Sequence, residues 1–205
     1  MALTYHNNNS ISNVTSFAQI PAGEPVLLST ATASSSASIS FNSTYINSDY
    51  KIYKFEFINI HPSTRSNFTF NLSTDNGSNY NVTKTTTSFI AYHKEDGGFA
   101  YLQYDGGDLA QSTSDQIIND LINTDNDNNL GGYLYLYNPS SIIFVKHFMA
   151  RSSNTRLNNG GEIYMQDNHM AGYGNTTSAI NAIIFRMSAG NIDAGQIKLY
   201  GIGAN

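Results

Sequence analysis

Alternating apolar and polar residues are the clearest pattern in this chain, and they predict β-strands along most of its length. The segment YKIYKFEFINI places Tyr53, Phe55 and Phe57 on one face of a strand and its isoleucines on the other. The next segment, at 68–72, alternates Phe and Leu with Thr and Asn. Because successive side chains of a strand point to opposite faces, both segments are predicted to form strands, the first of them covered on both faces.

Similar patterns recur towards the end of the chain. The segment GGYLYLYN sets Leu134 and Leu136 against three tyrosines, and the run at 142–149 is the predicted return strand. Two more strand-like runs between 180 and 202 are joined by a bridge rich in Gly, Asn and Asp. These residues tolerate left-handed backbone, so the bridge is predicted to be a turn that closes a hairpin.

Two local signals predict a hairpin turn and a helix. The triplet Asp75-Asn76-Gly77 has the composition of a tight turn and is predicted to join the strand at 68–72 to a partner at 81–93. The segment SDQIINDLI, at 114–122, begins with a candidate capping Ser and has apolar residues at near-helical spacing. It is therefore predicted to form a short helix.

The pattern as a whole predicts an all-β fold. We expect about nine or ten strands in a single antiparallel β-sandwich of jelly-roll type, which spans residues 23–205. Residues 1–22 have no core pattern and are predicted to form an extended N-terminal arm. The apolar residues of this arm are expected to contact a neighbouring subunit or to attach the protein to a larger assembly, and they are Ile11, Val14, Phe17 and Ile20.

Composition supports an all-β fold and excludes several classes of function. Only 12% of the 205 residues are charged and the net charge is −5, so the basic surface that nucleic-acid binding requires is missing. The chain has no cysteine and therefore no disulfide framework. The longest apolar run, at 142–145, is too short to insert into a membrane. The first residues lack the pattern of a secretion signal, so we expect synthesis in the cytoplasm.

Catalytic motifs are not found, and we expect neither enzymatic activity nor a cofactor. The five histidines are dispersed, and no nucleophile elbow or phosphate-binding loop is present. Paired carboxylates for glycoside cleavage are conceivable along the Gly-rich stretch at 95–108. We favour the alternative that these acidic residues keep the loops solvated.

The segment at 125–129 is a weak candidate for calcium binding. Asp125, Asp127 and Asn129 offer the carboxylate and amide oxygens that calcium prefers. The glycine of the helical calcium loop is missing, and Leu136 stands where its bidentate Glu belongs. An Asx-rich turn without a metal is the alternative.

Two groups of tyrosines are the candidate binding residues. Tyr133, Tyr135 and Tyr137 share one face of a predicted strand and form an amphipathic row that suits sugar rings or another subunit. The equally weighted alternative is that this face is the second side of the core. The other group, with the same two interpretations, comprises Tyr92, Tyr101 and Tyr104.

Several segments resemble virion proteins of tailed phages that infect cyanobacteria and related marine hosts. The segments that carry the resemblance are IPAGEPVLL with TASSSASISF, YKFEFINIHP, GYLYLYNPSS and SAGNIDAGQIKLYGI. The resemblance covers most of the chain from Ile20 and is weaker at 95–129. It implies a β-sandwich module of a fibre or surface protein, and it transfers no catalytic residue.

The resemblance also implies a function and partners. We expect a structural protein exposed on the phage particle, as a capsid decoration, head fibre or tail fibre subunit. Its expected partners are further copies of itself, with a homotrimer favoured by analogy, and other virion proteins bound through the arm. A host surface glycan is a further candidate partner. The alternative function is a carbohydrate-binding domain that recognises host surface polysaccharide.

Overall fold

The computed structural model describes residues 24–204, which form twelve β-strands and no helix. The all-β prediction is confirmed, whereas the number of strands exceeds the expected nine or ten. The arm at 1–22, with Ile11, Val14, Phe17 and Ile20, lies outside the described residues. The strands are β1 Val26–Thr32, β2 Ile39–Phe41, β3 Tyr50–Pro62, β4 Ser66–Ser73, β5 Lys84–Lys94, β6 Ala100–Tyr104, β7 Gln116–Ile122, β8 Leu130–Tyr137, β9 Lys146–Leu157, β10 Ile163–Gly174, β11 Ala182–Met187 and β12 Ile192–Ala204.

All neighbouring strands are antiparallel, and they form two groups. Eight strands follow the order β1-β12-β3-β8-β9-β10-β5-β6, and four follow the order β7-β4-β11-β2. The groups are joined where β7 pairs with β9 at Ile122 and Arg156. No segment of 24–204 is a helix that is long and apolar enough to cross a membrane.

The two groups face each other across an apolar core centred on Phe185. Phe185 belongs to β11, and its ring centroid lies 5.2 Å from that of Phe55 and 5.3 Å from that of Phe57, both in β3. It also lies 5.9 Å from the ring of Phe68 in β4. Because β3 is not hydrogen-bonded to β4 or β11, these contacts join the two groups, which are called layers below. The layers belong to one twelve-stranded sheet that is nearly barrel-shaped, and the jelly-roll sandwich stays a prediction.

Where β7 packs against β5, β10 and β9, the contact between the layers is polar. Thr86 donates to Gln116 at 2.6 Å, and Asn119 donates to Ser152 at 2.9 Å. Gln166 donates to the Asn119 side-chain oxygen at 3.0 Å. All five side chains are buried, so their hydrogen bonds offset the cost of removing these groups from water.

A buried lysine lies at the edge of this polar region. Lys84 is fully buried, and its ammonium donates to Asn71 Oδ1 at 2.6 Å and to the carbonyl of Val82 at 2.8 Å. Burial lowers the pKa of Lys84 to about 8, while the more distant Asp115 acts in the opposite direction. The ammonium is thus held by neutral acceptors inside the protein.

The predicted helix at 114–122 is wrong, because Gln116–Ile122 is strand β7. Its pairing with β4 shifts register on both sides of Phe68, as in a β-bulge, and Leu121 has a positive φ of 48°. A bulge interrupts the two-residue period of a strand, which explains why the apolar spacing looked helical.

Both predicted hairpins are also wrong. At the predicted closing hairpin between 180 and 202, β11 and β12 do not pair with each other, because β11 pairs with β4 and β2 while β12 pairs with β1 and β3.

The first predicted hairpin, after 68–72, also joins strands of different groups. A turn does form there, with the Ser78 amide bonded to the Asp75 carbonyl at 3.3 Å and Gly77 at φ 87°. However, β4 pairs with β7 and β11, while β5 pairs with β10 and β6. The turn therefore connects the two layers, and the irregular residues 79–83 give the chain room to cross.

The predicted return strand at 142–149 begins later than expected. Strand β9 starts at Lys146, and 142–144 lie in the loop after β8. Asn138, with a positive φ of 44°, begins this loop, and the Ile180 amide donates to the Pro139 carbonyl. The apolar run thus belongs to a loop tip that is tied to a neighbouring segment.

Candidate functional site

Strand β8 presents its tyrosines on the outer face of the eight-stranded group. Leu134 and Leu136 are fully buried in the core, so the alternation turns Tyr133, Tyr135 and Tyr137 outwards. The ring centroids of Tyr133 and Tyr135 are 5.4 Å apart, and those of Tyr135 and Tyr137 are 6.2 Å apart. Tyr133 is 36% exposed and the other two are half-buried. Within 24–204, no second layer covers this row.

The pairing register extends the outer face over four more strands. Tyr133 of β8 is opposite Arg151 of β9, which is opposite His169 of β10. His169 is opposite Phe89 of β5, and Phe89 is opposite Tyr104 of β6. The rings of Phe89 and His169 stack with centroids 4.7 Å apart. A row of aromatic and polar side chains therefore crosses five strands.

The charged groups on this face are paired with one another. Arg151 binds Asp167 through two hydrogen bonds of 3.0 and 2.8 Å, and His169 lies 3.3 Å from the same carboxylate. The hydrogen bond from Arg151 lowers the pKa of Asp167. On the other side of the tyrosine row, Lys54 contacts Glu56 at 3.0 Å. The charges of the face are thus largely compensated locally.

A shallow depression of about 480 Å³ lies beside the tyrosine row. It is lined mostly by apolar atoms, with Tyr137, His147, Met149, Ala171 and Tyr173 among its residues. The Tyr137 hydroxyl lies 3.9 Å from the sulfur of Met149, and the rings of His147 and Tyr173 are 5.9 Å apart. Aromatic walls with hydroxyl groups at the rim suit the flat side of a sugar ring or an apolar side chain.

The structure separates the second group of predicted tyrosines. Tyr92 is buried on the inner side of β5, and its ring is 5.1 Å from that of Tyr101 on β6. Burial raises the pKa of the Tyr92 hydroxyl to about 12. Tyr104 is 63% exposed on the outer face and donates to Asp108 at 2.8 Å. Only Tyr104 of this group therefore joins the face that carries the β8 tyrosines.

The calcium candidate at 125–129 lies in the β7–β8 loop. Asp125, Asp127 and Asn129 are exposed, and the Asp125 carboxylate accepts a hydrogen bond from Asn123 at 2.9 Å. The Asn128 amide also donates to the Asp125 carbonyl, as in an Asx-rich turn. Across 24–204, no three Asp, Glu or His side chains group in a way that could hold a metal ion. Calcium binding here stays a prediction.

Three of the acidic residues at 95–108, namely Asp96, Asp105 and Asp108, have a local partner, and that of Asp108 is the Tyr104 hydroxyl. Asp96 lies 2.8 Å from the ammonium of Lys94, which also contacts Glu162 at 2.9 Å. Asp105 accepts a hydrogen bond from Ser88, and burial raises its pKa. These contacts give the three carboxylates roles within the loops.

Several residues of the face were not singled out from the sequence. Each occupies an outward position of β5, β9 or β10. The alternation of apolar and polar residues along these strands is the signal that could have assigned each of them to the outer face. The order of the strands, which brings the residues together, cannot be derived from that alternation. They are Phe89, His147, Met149, His169 and Tyr173.

Comparisons with known proteins do not identify this chain. It has no match to a family model, to a curated protein or to a solved structure.

Proposed function

We propose that this chain is a non-enzymatic structural protein of a phage virion surface, which works by packing its outer sheet face against other subunits. The observation that carries the proposal is the outer face from β8 to β6, on which the row of aromatic and polar side chains and the exposed Met149 lie together. Several large apolar side chains that are exposed on one face commonly mark an interaction site. Tyrosine, methionine and arginine are also enriched at protein interfaces.

Sequence resemblance supports the location on a virion. The resembling segments include strands of both groups and the turn between β11 and β12, so they support a complete module with a jelly-roll-like sandwich fold. In this proposal the protein is made in the bacterial cytoplasm and becomes a capsid decoration, a head fibre or a tail fibre. Residues 1–22 attach it to other virion proteins, and copies assemble as a homo-oligomer, with a trimer favoured by analogy.

Purified phage particles test the proposal directly. Mass spectrometry should detect the chain in particles produced by the phage that encodes it. A variant without residues 2–19 should keep its β-rich circular dichroism spectrum but be lost from the particles. If the full-length chain is absent from purified infectious particles, the virion proposal is wrong.

The depression beside Tyr137 supports a second candidate function, the binding of host surface polysaccharide. Its aromatic walls and the hydroxyl groups of neighbouring threonines match the apolar and polar sides of a sugar ring. Glycan-array binding should then be lost in Tyr173→Ala and retained in Tyr101→Ala, which lies on the other side of the sheet. Loss in Tyr101→Ala or Tyr104→Ala alone would instead favour the sequence-based site. Binding to no host glycan would remove this candidate.

A further inference from the structure

The loop between β8 and β9 ends in three consecutive exposed apolar residues. Ile142, Ile143 and Phe144 are 77%, 70% and 67% exposed. A single exposed apolar side chain is ordinary, but three large ones in succession leave a contiguous apolar tip in water. We call residues 142–144 the apolar tip.

Hydrogen bonds hold the backbone of the tip in place. Ser141 Oγ accepts from the amides of Ile143 at 3.2 Å and Phe144 at 3.0 Å. The buried ammonium of Lys146 donates to the Phe144 carbonyl at 2.9 Å and to the Thr176 carbonyl at 3.1 Å. Because the tip is already ordered, little backbone entropy would be lost when it binds a partner.

The depression beside Tyr137 has the surface that such a tip requires. This depression has no Asp, Glu, Lys or Arg in its lining, whereas three other depressions on the described part of the protein have charged linings. An apolar side chain that enters it would therefore not remove a carboxylate or an ammonium group from water. Its volume of about 480 Å³ is large enough for more than one side chain.

The tip does not occupy the depression of its own chain. Tyr137 ends β8 and His147 lies near the start of β9, so the depression borders the same loop that carries the tip. The three tip side chains nevertheless remain about two-thirds or more exposed. Each copy thus carries an uncharged apolar projection and an uncharged apolar recess, and both remain free in the single chain.

We propose that the apolar tip of one copy inserts into the depression of a second copy. The contact is either reciprocal between two copies or passes from copy to copy around a closed ring. This inference rests on the self-assembly in the proposed function and names the surfaces that mediate it. Other occupants of the depression, such as a glycan or the residues at 1–22, would leave self-association independent of the tip.

Sedimentation velocity of the full chain and two variants tests the contact. One variant replaces the tip by Ile142→Ser, Ile143→Ser and Phe144→Ser, and the other places a charge in the depression by Ala171→Glu. Each should weaken self-association by roughly tenfold or more, since central apolar contacts dominate interface affinity. The matched control Leu27→Ser removes a residue that is 53% exposed on β1, and it should leave self-association unchanged.

Mixing the two variants gives the decisive result. Each variant alone should associate only weakly. The depression of the tip variant is intact, however, and should accept the intact tip of the depression variant, so the mixture should form a complex more readily than either variant alone. If thermal melting shows that Ala171→Glu is unfolded, Thr87→Glu at an exposed position of the same depression replaces it. A monomeric wild-type chain at high concentration, unchanged association of the tip variant, or a mixture without a complex would each overturn the inference. The virion proposal would still stand if the particles contain the chain.

Discussion

Lys84 is expected to make this fold more stable as the pH rises above neutrality. Its ammonium is fully buried against the Asn71 amide oxygen and the Val82 carbonyl, and no carboxylate is among its hydrogen-bond partners. Burial therefore lowers its pKa from 10.5 to about 8. Between these values the unfolded chain binds more protons than the folded one, so the free energy of unfolding increases with pH.

The pKa difference sets the size of the effect. At 1.36 kcal/mol per pKa unit, the change from 10.5 to about 8 corresponds to roughly 3 kcal/mol once the pH is above both values. About 2 kcal/mol of this should be gained between pH 7 and pH 9.5. Above pH 10, Tyr92 acts in the opposite direction, because its raised pKa of about 12 makes the folded state bind more protons. The useful window therefore ends below pH 10.

Urea unfolding followed by far-ultraviolet circular dichroism between pH 7 and pH 9.5 measures this gain. Lys84→Met keeps a long side chain without a titratable group, so its stability should rise much less than that of the wild type in this window. Burial also lowers the pKa of Lys146, which accounts for the smaller rise that remains. Lys51→Met, at an exposed position of β3, should retain the wild-type slope. A flat wild-type profile, or a Lys84→Met profile as steep as the wild type, would refute the reasoning. The absolute stability of Lys84→Met does not enter this comparison.

Three further predictions concern the core, a close strand approach and the acidic loop. Phe185→Ala should lower the free energy of unfolding by about 4 kcal/mol, because the ring is fully buried among other rings. Phe89 is exposed, so Phe89→Ala should lower the free energy of unfolding by less than about 1 kcal/mol. Gly132→Ala should lower the free energy of unfolding by about 1–3 kcal/mol, since a Cβ there would lie 2.5 Å from the Arg151 carbonyl oxygen. A Cβ at Gly131 would meet no atom within 4 Å, so Gly131→Ala should leave the stability nearly unchanged. If the loop at Asp125 binds calcium, a chelator should lower the melting temperature.

Each of these predictions has a clear contrary outcome. Equal losses for Phe185→Ala and Phe89→Ala, measured by urea unfolding, would contradict the packing of the two layers around Phe185. Equal melting temperatures for Gly132→Ala and Gly131→Ala would show that β8 and β9 are not as close as described. An unchanged melting temperature after chelation would remove the calcium hypothesis.

Alternation along the chain was sufficient to predict the strands with a regular period. It located β3 and β8, and it placed Leu134 and Leu136 opposite the tyrosines of β8. The outward direction of Tyr133, Tyr135 and Tyr137 follows from the same two-residue period, because the leucines must be buried. Local pattern therefore determined which side of a strand each residue occupies.

Long-range pairing could not be derived in the same way. The bulged strand β7 has a disturbed period, and the turn at Asp75–Gly77 is locally like a hairpin although its strands lie in different layers. The run at 142–144 has the composition of a buried strand, yet the loop that begins at Asn138 places it in water. In each case the outcome depends on contacts with residues far away in sequence, which a local pattern does not contain.

The local pairing of charges on the outer face has a consequence for its behaviour in concentrated salt. The Debye length falls to about 3 Å at 1 M ionic strength, so exposed pairs such as Arg151 with Asp167 lose much of their attraction there. Stacked rings, hydroxyl groups and apolar side chains do not depend on long-range charge. Contacts that Tyr133, Tyr135 and the apolar tip make with another apolar surface are therefore expected to persist from dilute to strongly saline water.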